Sequence, residues 1–502
     1  MRDRPTLLLS LIGVAIATVL WQSRMSFPFD DAYITFRYAE NLARGYGLVW
    51  NVSGPHTEGY TNFLLVLILS PFSLFKADLL IVSQVIGIVS TILTAIVIFK
   101  LIRQISESDG WPVAAGLIYL LLPFTWANAF SGLETSLFAL LVTSSFYFAL
   151  QKKWSGAFTL VSLASLTRPE GVLAGAILAL AIFGEDKSDR AIVFRVMLTY
   201  FVLPMALYAI FKFFYFGDLL PNSFYIKTGN GGFQGIQSSK DFIRSNVILI
   251  LISIYALLGY RDKWKVLTPL LLWSCALVLF YVWPEPLQGF YFRFDWPAVP
   301  ALAIFASLVL LHEKWSWRSG MILAVVIASQ IVLTLPRLRN EMQLATLERG
   351  QQIYHELGFA LRSLPNHARM TFAFQDAGAV PYYSEMKNID LVGLNTTAIA
   401  ESRSTHEACS ILDSLQPDII LIPAYRDTGE CWTVFHDGHG KAGSLIPELI
   451  HRPSMANYVC AGRVTYLGYD ILCYVIPKYT QTVSTEFSKF AWFVSGPIPC
   501  VQ

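Results

Sequence analysis

The chain has 502 residues and a net charge of +2, with 54% hydrophobic and 14% charged residues, where an ordinary soluble domain carries roughly 25% charged residues. That deficit excludes a wholly water-soluble protein and makes lipid the solvent for the apolar excess. The near-neutral balance gives no electrostatic case for a nucleic-acid partner.

A short basic N-terminus, with Arg2 and Arg4, precedes an apolar run over 6–24. It reads as an uncleaved first span, because no small-x-small cleavage site follows. The polar loop 25–60 comes next. Segment 61–75 is apolar but short and interrupted by Pro71, which fits an interfacial or re-entrant helix. Apolar runs near the length of a span, about 20 residues, then recur at 79–102, 111–129, 133–151, 154–167, 170–184, 193–216, 246–260, 266–284, 296–312 and 318–335. With the first, they make about eleven; 154–167 and 170–184 are short enough to be tilted or broken.

With Arg2 and Arg4 placed in the cytoplasm, alternating spans put Lys100 and Arg103, Lys152 and Lys153, Lys187, Arg190 and Arg195, Arg261, Lys263 and Lys265, and Lys314 and Arg318 on the same side. One orientation thus makes every inner turn basic. The opposite side collects the polar motifs FDDAYITFRY, HTEGYTN, SGLET, TRPEG, GDLLPNSFYIK and QGFYFRF. Expected chemistry therefore lies on the periplasmic, extracytoplasmic face of a bacterial inner membrane.

Composition shifts after Pro336, dividing a membrane domain (1–336) from a soluble tail (337–502). In the tail, 340–363 reads as an amphipathic helix, 370–374, 389–391 and 419–422 as strands, and 404–415 as a helix. This alternation predicts a small α/β domain. Cys409, Cys431, Cys460 and Cys473 lie in it and are able to form two disulfides in an oxidising compartment; buried thiols are the alternative. The fold class is mainly α: a polytopic helical bundle with a C-terminal soluble α/β domain.

Asp30 and Asp31 directly follow the first span. Adjacent carboxylates at a membrane surface suit a general base and an orienting or cation-holding partner; the structural alternative is capping of the helix after them. Tyr33 and Arg37 follow in the same loop. Glu58, Tyr60 and Asn62 are candidate sugar contacts, or parts of a capping turn. Arg168 and Glu170 are a structural ion pair or, for the arginine, a phosphate contact. Asn222 and Lys227 lie in one outer loop, and Tyr291 and Arg293 in another. A lipid-phosphate head needs cations at that depth, preferably arginine, and Lys227 and Arg293 are the expected pair. Asp376, Tyr382 and Tyr383 in the tail are candidate glycan contacts. P-loop, G-x-G-x-x-G and H-E-x-x-H motifs are absent, which argues against ATP-driven transport.

The run DDAYITFRYAENLARGYGLVWN, followed by HTEGYTNF, resembles the first outer loop of the terminal arabinofuranosyltransferases of mycobacteria and their bacterial relatives. SGLET, TRPEG, DLLPNSFYIK, YFRF, QDAGAVPYYS and IDLVGLN follow the same pattern in the same order. His56-Thr57 departs from it. The resemblance implies a GT-C glycosyltransferase with a catalytic aspartate in the first outer loop, Asp30 being the expected base. It implies a polyprenyl-phosphate-linked sugar donor, arabinofuranose in the mycobacterial case, and a cell-envelope glycan or lipid acceptor. No cofactor is required by this reading, and a divalent cation is compatible with it. The competing readings are a transporter or flippase of lipid-linked sugars, a lipid-A or protein glycosyltransferase using another prenyl-linked sugar, and a catalytically dead assembly scaffold, against which the retained Asp30-Asp31 pair argues.

Overall fold

A computed structural model describes residues 28–105, 112–184, 186–228, 233–260, 263–284, 289–309, 317–348, 352–426, 432–434, 440–465 and 470–496, with Ile16 and Leu20. The expected first span 6–24 therefore lies almost wholly outside the described residues. The helical region begins with α1 (Asp30–Ala43), in the first outer loop, and α2 (Phe63–Leu74). Then come α3 (Leu79–Ile105), α4 (Pro112–Leu121), α5 (Thr125–Phe130), α6 (Thr135–Leu150), α7 (Trp154–Thr167) and α8 (Gly171–Ala181). A π-helical step joins α9 (Lys187–Met197) to α10 (Leu203–Phe216), and Gly217, at φ 82°, ends α10 in the left-handed turn that favours glycine. The region closes with α11 (Asn222–Thr228), α12 (Ile236–Ser245), α13 (Val247–Gly259), α14 (Trp264–Phe280), α15 (Val299–Leu308) and α16 (Trp317–Glu348).

Two of these helices, Leu79–Ile105 and Asp189–Phe216, are long and apolar enough to cross a membrane, or three if α12 and α13, bent by 71°, count as one. About eleven spans were expected. The difference is largely one of length: among the described residues the apolar helices α2, α6, α7 and α8 have only 11–16 residues. At about 1.5 Å per residue these fall short of a hydrocarbon core about 30 Å thick. The expected span 111–129 is broken between α4 and α5, and 170–184 tightens into a 3₁₀ turn after α8. The helix over 317–348 runs through Pro336, where the helical region was expected to end.

The C-terminal region has a seven-stranded sheet of order β2-β1-β3-β6-β5-β7, with β4 paired to β3. The strands are β1 (Thr371–Phe374), β2 (Lys387–Asp390), β3 (Ile419–Arg426), β4 (Trp432–Val434), β5 (Val459–Thr465), β6 (Asp470–Val475) and β7 (Phe493–Ser495). β1 runs parallel to β2 and β3, and the other pairs are antiparallel. Helices α17 (Gln352–Arg362), α18 (Ala379–Ser384) and α20 (Thr405–Leu415) pack around it, with α19 (Thr397–Glu401) following β2. Cys409 and Cys473 are free, buried thiols, and Cys275 is a free thiol in α14. Two tail disulfides are therefore not formed. The thiols of Cys409 and Cys473 pack as small apolar groups in the two cores; Cys431 lies outside the described residues.

The helical and sheet regions interlock through α1. Asp30, Tyr33, Arg37 and Glu40 recur at helical spacing and share one face. Both Asp30 oxygens accept backbone N–H groups, from Gly378 at 2.9 Å and Ala379 at 2.8 Å. Tyr33 bonds His355 at 3.0 Å, Arg37 donates to the carbonyls of Pro381 and Met386, and Tyr382 donates to Glu40. A Cβ at Gly378 would overlap the Asp30 carboxyl, and one at Gly59 would overlap the Asn395 side chain. Gly378→Ala is therefore expected to loosen the sheet region, lowering the melting temperature by about 5 °C and speeding proteolysis after residue 348. Unchanged melting and cleavage would show that this contact does not hold the two regions.

Candidate active site

A cavity of about 640 Å³ lies between the two regions. Its helical side comes from the ends of elements on the side opposite the basic turns: Asp31, Ile34 and Thr35 of α1, Tyr60–Asn62, Glu134 before α6, Arg168–Glu170 between α7 and α8, Lys227 of α11, Tyr281 after α14, and Arg293–Phe294. Its roof is Gln375–Ala377, Val392 and Leu394. These follow β1 and β2, so the carboxyl ends of parallel strands face the cavity, where α/β sheets commonly bind ligands.

Three cations surround the Phe294 ring, with Lys227 and Arg293 each 4.7 Å from its centroid and Arg168 5.3 Å away. The negative face of the ring partly offsets their mutual repulsion. Each cation has a different set of partners. Arg168 lies 3.4 Å from Glu170 and 3.9 Å from Glu134, bonds the Tyr281 hydroxyl at 2.7 Å, and donates to the Arg293 carbonyl at 2.9 Å. It is a buried strut. Arg293 pairs with Asp31 at 2.7 Å. Lys227 has no carboxylate within ion-pair distance among the described residues. Burial first, then Arg293, push its ammonium down to about 8.

Asp31 is the carboxylate of the pair that lines the cavity. One oxygen meets Arg293, and a quarter of its side chain (25%) is exposed. Asp30, the expected base, is buried against the sheet region with both oxygens bonded to backbone amides. Neither caps α1, whose N-cap is Phe29 and has no side-chain cap bond.

The other expected site residues divide by the same geometry. Tyr60, Asn62, Arg168 and Glu170 line the cavity. Asn62 donates to Glu134 at 2.9 Å and exchanges hydrogen bonds with Thr35. Tyr33, Arg37, Glu58, Asn222 and Tyr291 do not line it. Arg37 is held by Trp50 and Asn51 as well as by α18 and the turn after it, and it lies over the Trp50 ring. Glu58 pairs with the buried Lys212 at 2.7 Å and accepts from Tyr208; burial raises its pKa, and Lys212 opposes that rise. Asn222 donates to the carbonyls of Gly393 and Leu394. Tyr291 contributes its backbone, whose N–H bonds Glu341. In the tail, Asp376 lines the cavity and accepts from Tyr354 at 2.5 Å, while Tyr382 and Tyr383 pack against Tyr33. Among the described residues no group of three or more His, Cys, Asp or Glu side chains is placed to hold a metal ion.

Sequence reasoning missed Phe294, Tyr281, Glu341 and Gln375. The only signal for Phe294 was its place beside Arg293, and nothing marked Glu341 within an expected amphipathic helix.

Residues 340–469 match the model of a domain of unknown function, DUF8728. No curated protein matches the chain. Among solved structures, ArnT from Cupriavidus metallidurans bound to undecaprenyl phosphate superposes with a TM-score of 0.56 at 13% identity, over 94% of this chain and 98% of that one. The same protein in the apo state gives 0.53 at 13% identity, over 98% and 99%. The chain has the ArnT fold. At this identity the likeness concerns architecture. The resemblance to arabinofuranosyltransferases rests on the motifs.

Arg37→Met would remove the guanidinium from the Trp50, Pro381 and Met386 carbonyls inside the interlock, leaving the first two only their bonds from Asn41 and Ser384. It is expected to destabilise the protein by about 3 kcal/mol, read as an early thermal transition, with the ligand affinity of the folded fraction preserved. A stable Arg37→Met protein with impaired ligand binding would instead place Arg37 in the site.

Proposed function

We propose that the chain is a membrane glycosyltransferase that moves a sugar from a polyprenyl-phosphate carrier to a hydroxyl of a cell-envelope glycan or lipid. The observation that carries this reading is the placement of Lys227 and Arg293 beside a partly exposed carboxylate, Asp31, in one cavity. The ArnT fold, seen with undecaprenyl phosphate in ArnT itself, supports it. The basic turns support an inner-membrane protein whose cavity opens on the periplasmic side. The motifs favour arabinofuranose as the sugar. We also propose the division into a membrane domain and a tail domain over the cavity, with the tail's Gln375 and Asp376 as contacts for acceptor hydroxyls.

In this mechanism the donor phosphate sits against Lys227 and Arg293, and the prenyl chain leaves along the apolar wall of Leu220, Phe224, Phe280 and Trp283. Asp31 takes the proton of the acceptor hydroxyl as its oxygen attacks the anomeric carbon. The bond from that carbon to the phosphate oxygen breaks, and the electron pair leaves with the phosphate. The two cations stabilise the charge that develops there. A single displacement from the face opposite the leaving group inverts the anomeric configuration. Asp30, the base expected from the motif, is reassigned to holding the roof.

Purified protein in nanodiscs, given a panel of labelled polyprenyl-phosphate sugars with candidate acceptors, is expected to release polyprenyl phosphate from one of them. Asp31→Asn should lower turnover by about a thousandfold with donor affinity kept. Full turnover in Asp31→Asn excludes it as the base, and release from no donor by folded protein excludes the transfer reading.

The low ammonium pKa gives a second test. Lys227 is charged below about 8 and neutral above it. Affinity for undecaprenyl phosphate should therefore weaken as pH rises through 8, approaching about tenfold per pH unit, and Lys227→Arg should flatten the profile. A wild-type profile that stays flat across this window would remove Lys227 from the phosphate site.

A further inference from the structure

The turn that carries Arg293 is bent in an unusual way. Tyr291 and Phe292 are consecutive non-glycine residues with φ of 53° and 52°. Such left-handed positions cost about 1–3 kcal/mol each and persist only when their surroundings hold them. Here both polar groups of the Tyr291 backbone are held. Its N–H donates to Glu341 Oε1 at 3.4 Å. Its carbonyl accepts from Asn128 Nδ2 at 3.1 Å.

Glu341 is itself fixed. It is 1% exposed and accepts from Arg337 Nε at 2.7 Å. Arg337 reaches the Gly289 carbonyl at 3.2 Å and lies 5.0 Å over the Phe292 ring. Beyond the turn, Arg168 holds the Arg293 carbonyl. The arginine's backbone is thus gripped by α16 on one side, α5 on the other, and Arg168 behind.

We propose that Glu341 is a positioning residue: it locks the Tyr291–Phe292 turn and so aims the Arg293 guanidinium at Asp31 and at the phosphate of an incoming polyprenyl-phosphate donor. The second half rests on the reading of Arg293 as a phosphate ligand. The bend turns the chain sharply between the aromatic anchor Tyr291, stacked on Phe29 at 5.7 Å, and the cavity wall at Arg293. Relaxation of the turn to ordinary backbone angles would swing Arg293 away from Asp31. Glu341 lies in the C-terminal half of α16, next to Asn340, which also lines the cavity. The helix leading towards the sheet region thereby sets the geometry of a cation in the helical region.

The test uses the full chain in nanodiscs and two readouts. Hydrogen exchange over 290–295 reports the clamp without any ligand. Glu341→Ala should lose protection there, and Glu341→Gln, which keeps an acceptor oxygen, should retain it. Asn128→Ala removes the other anchor and serves in the same way if Glu341→Ala does not fold. Affinity for undecaprenyl phosphate is the second readout. Glu341→Ala should weaken it about tenfold in the wild-type background, the loss of about one charge-assisted contact, and not at all in an Arg293→Ala background. Unchanged protection in Glu341→Ala overturns the clamp. Equal losses of affinity in both backgrounds overturn the action through Arg293, since general loosening alone would produce them. Lost protection with affinity unmoved by Glu341→Ala and by Arg293→Ala leaves the clamp standing and overturns the phosphate role of Arg293.

Discussion

The cavity depends on the hydrogen bonds that the Gly378 and Ala379 backbone N–H groups donate to the Asp30 carboxylate. An anionic acceptor meeting two amides in a buried setting is a strong, directional contact, and losing either partner leaves the other's polar groups unsatisfied. It fixes the first turn of α18 against the first turn of α1. The loop between β1 and α18 is thereby pinned at its far end, and its preceding residues, Gln375–Ala377, are held over the cavity. The adjacent carboxylate, Asp31, faces the other way. One helix thus positions the roof with one stripe of side chains and lines the cavity with the next.

The cavity accommodates several charges at low polarity because most are paired or stacked. Arg168 is saturated by carboxylates, a hydroxyl and a carbonyl, so it serves as framework. Arg293 shares its charge with Asp31 and Phe294. Lys227, with the ring as its one close partner among the described residues, has the most to gain from an arriving anion. On the proposed reading, that gradient, from a fully paired arginine to a less paired lysine, is what would seat the donor phosphate.

Much of the tail was legible in the sequence. Turn residues and short β-branched runs marked the strands near 370–374 and 419–422, and apolar spacing marked the helix near 404–415. That Lys227, Arg293 and Asn62 line the cavity was reachable because outer-face charge and amide groups at interfacial depth are costly without partners. Which of Asp30 and Asp31 lines the cavity was not legible. Helical periodicity separates 30, 33, 37 and 40 from 31, 34 and 35, but both sets contain polar residues, and only the packed partners show which stripe meets the sheet region and which lines the cavity. The count of spans failed because hydropathy measures composition, while crossing also needs unbroken length, and the helices around Pro123, Gly184 and Asn246 break or change character. The thiols of Cys409 and Cys473 went to separate cores, which spacing could not reveal.

The most direct test is a structure of the full chain in nanodiscs with undecaprenyl phosphate bound. The account predicts phosphate density between Lys227 and Arg293, within reach of Asp31, while Asp30 stays on the Gly378 and Ala379 amides. Phosphate bound elsewhere, or Asp30 turned into the cavity towards it, would contradict the division of labour between the two aspartates.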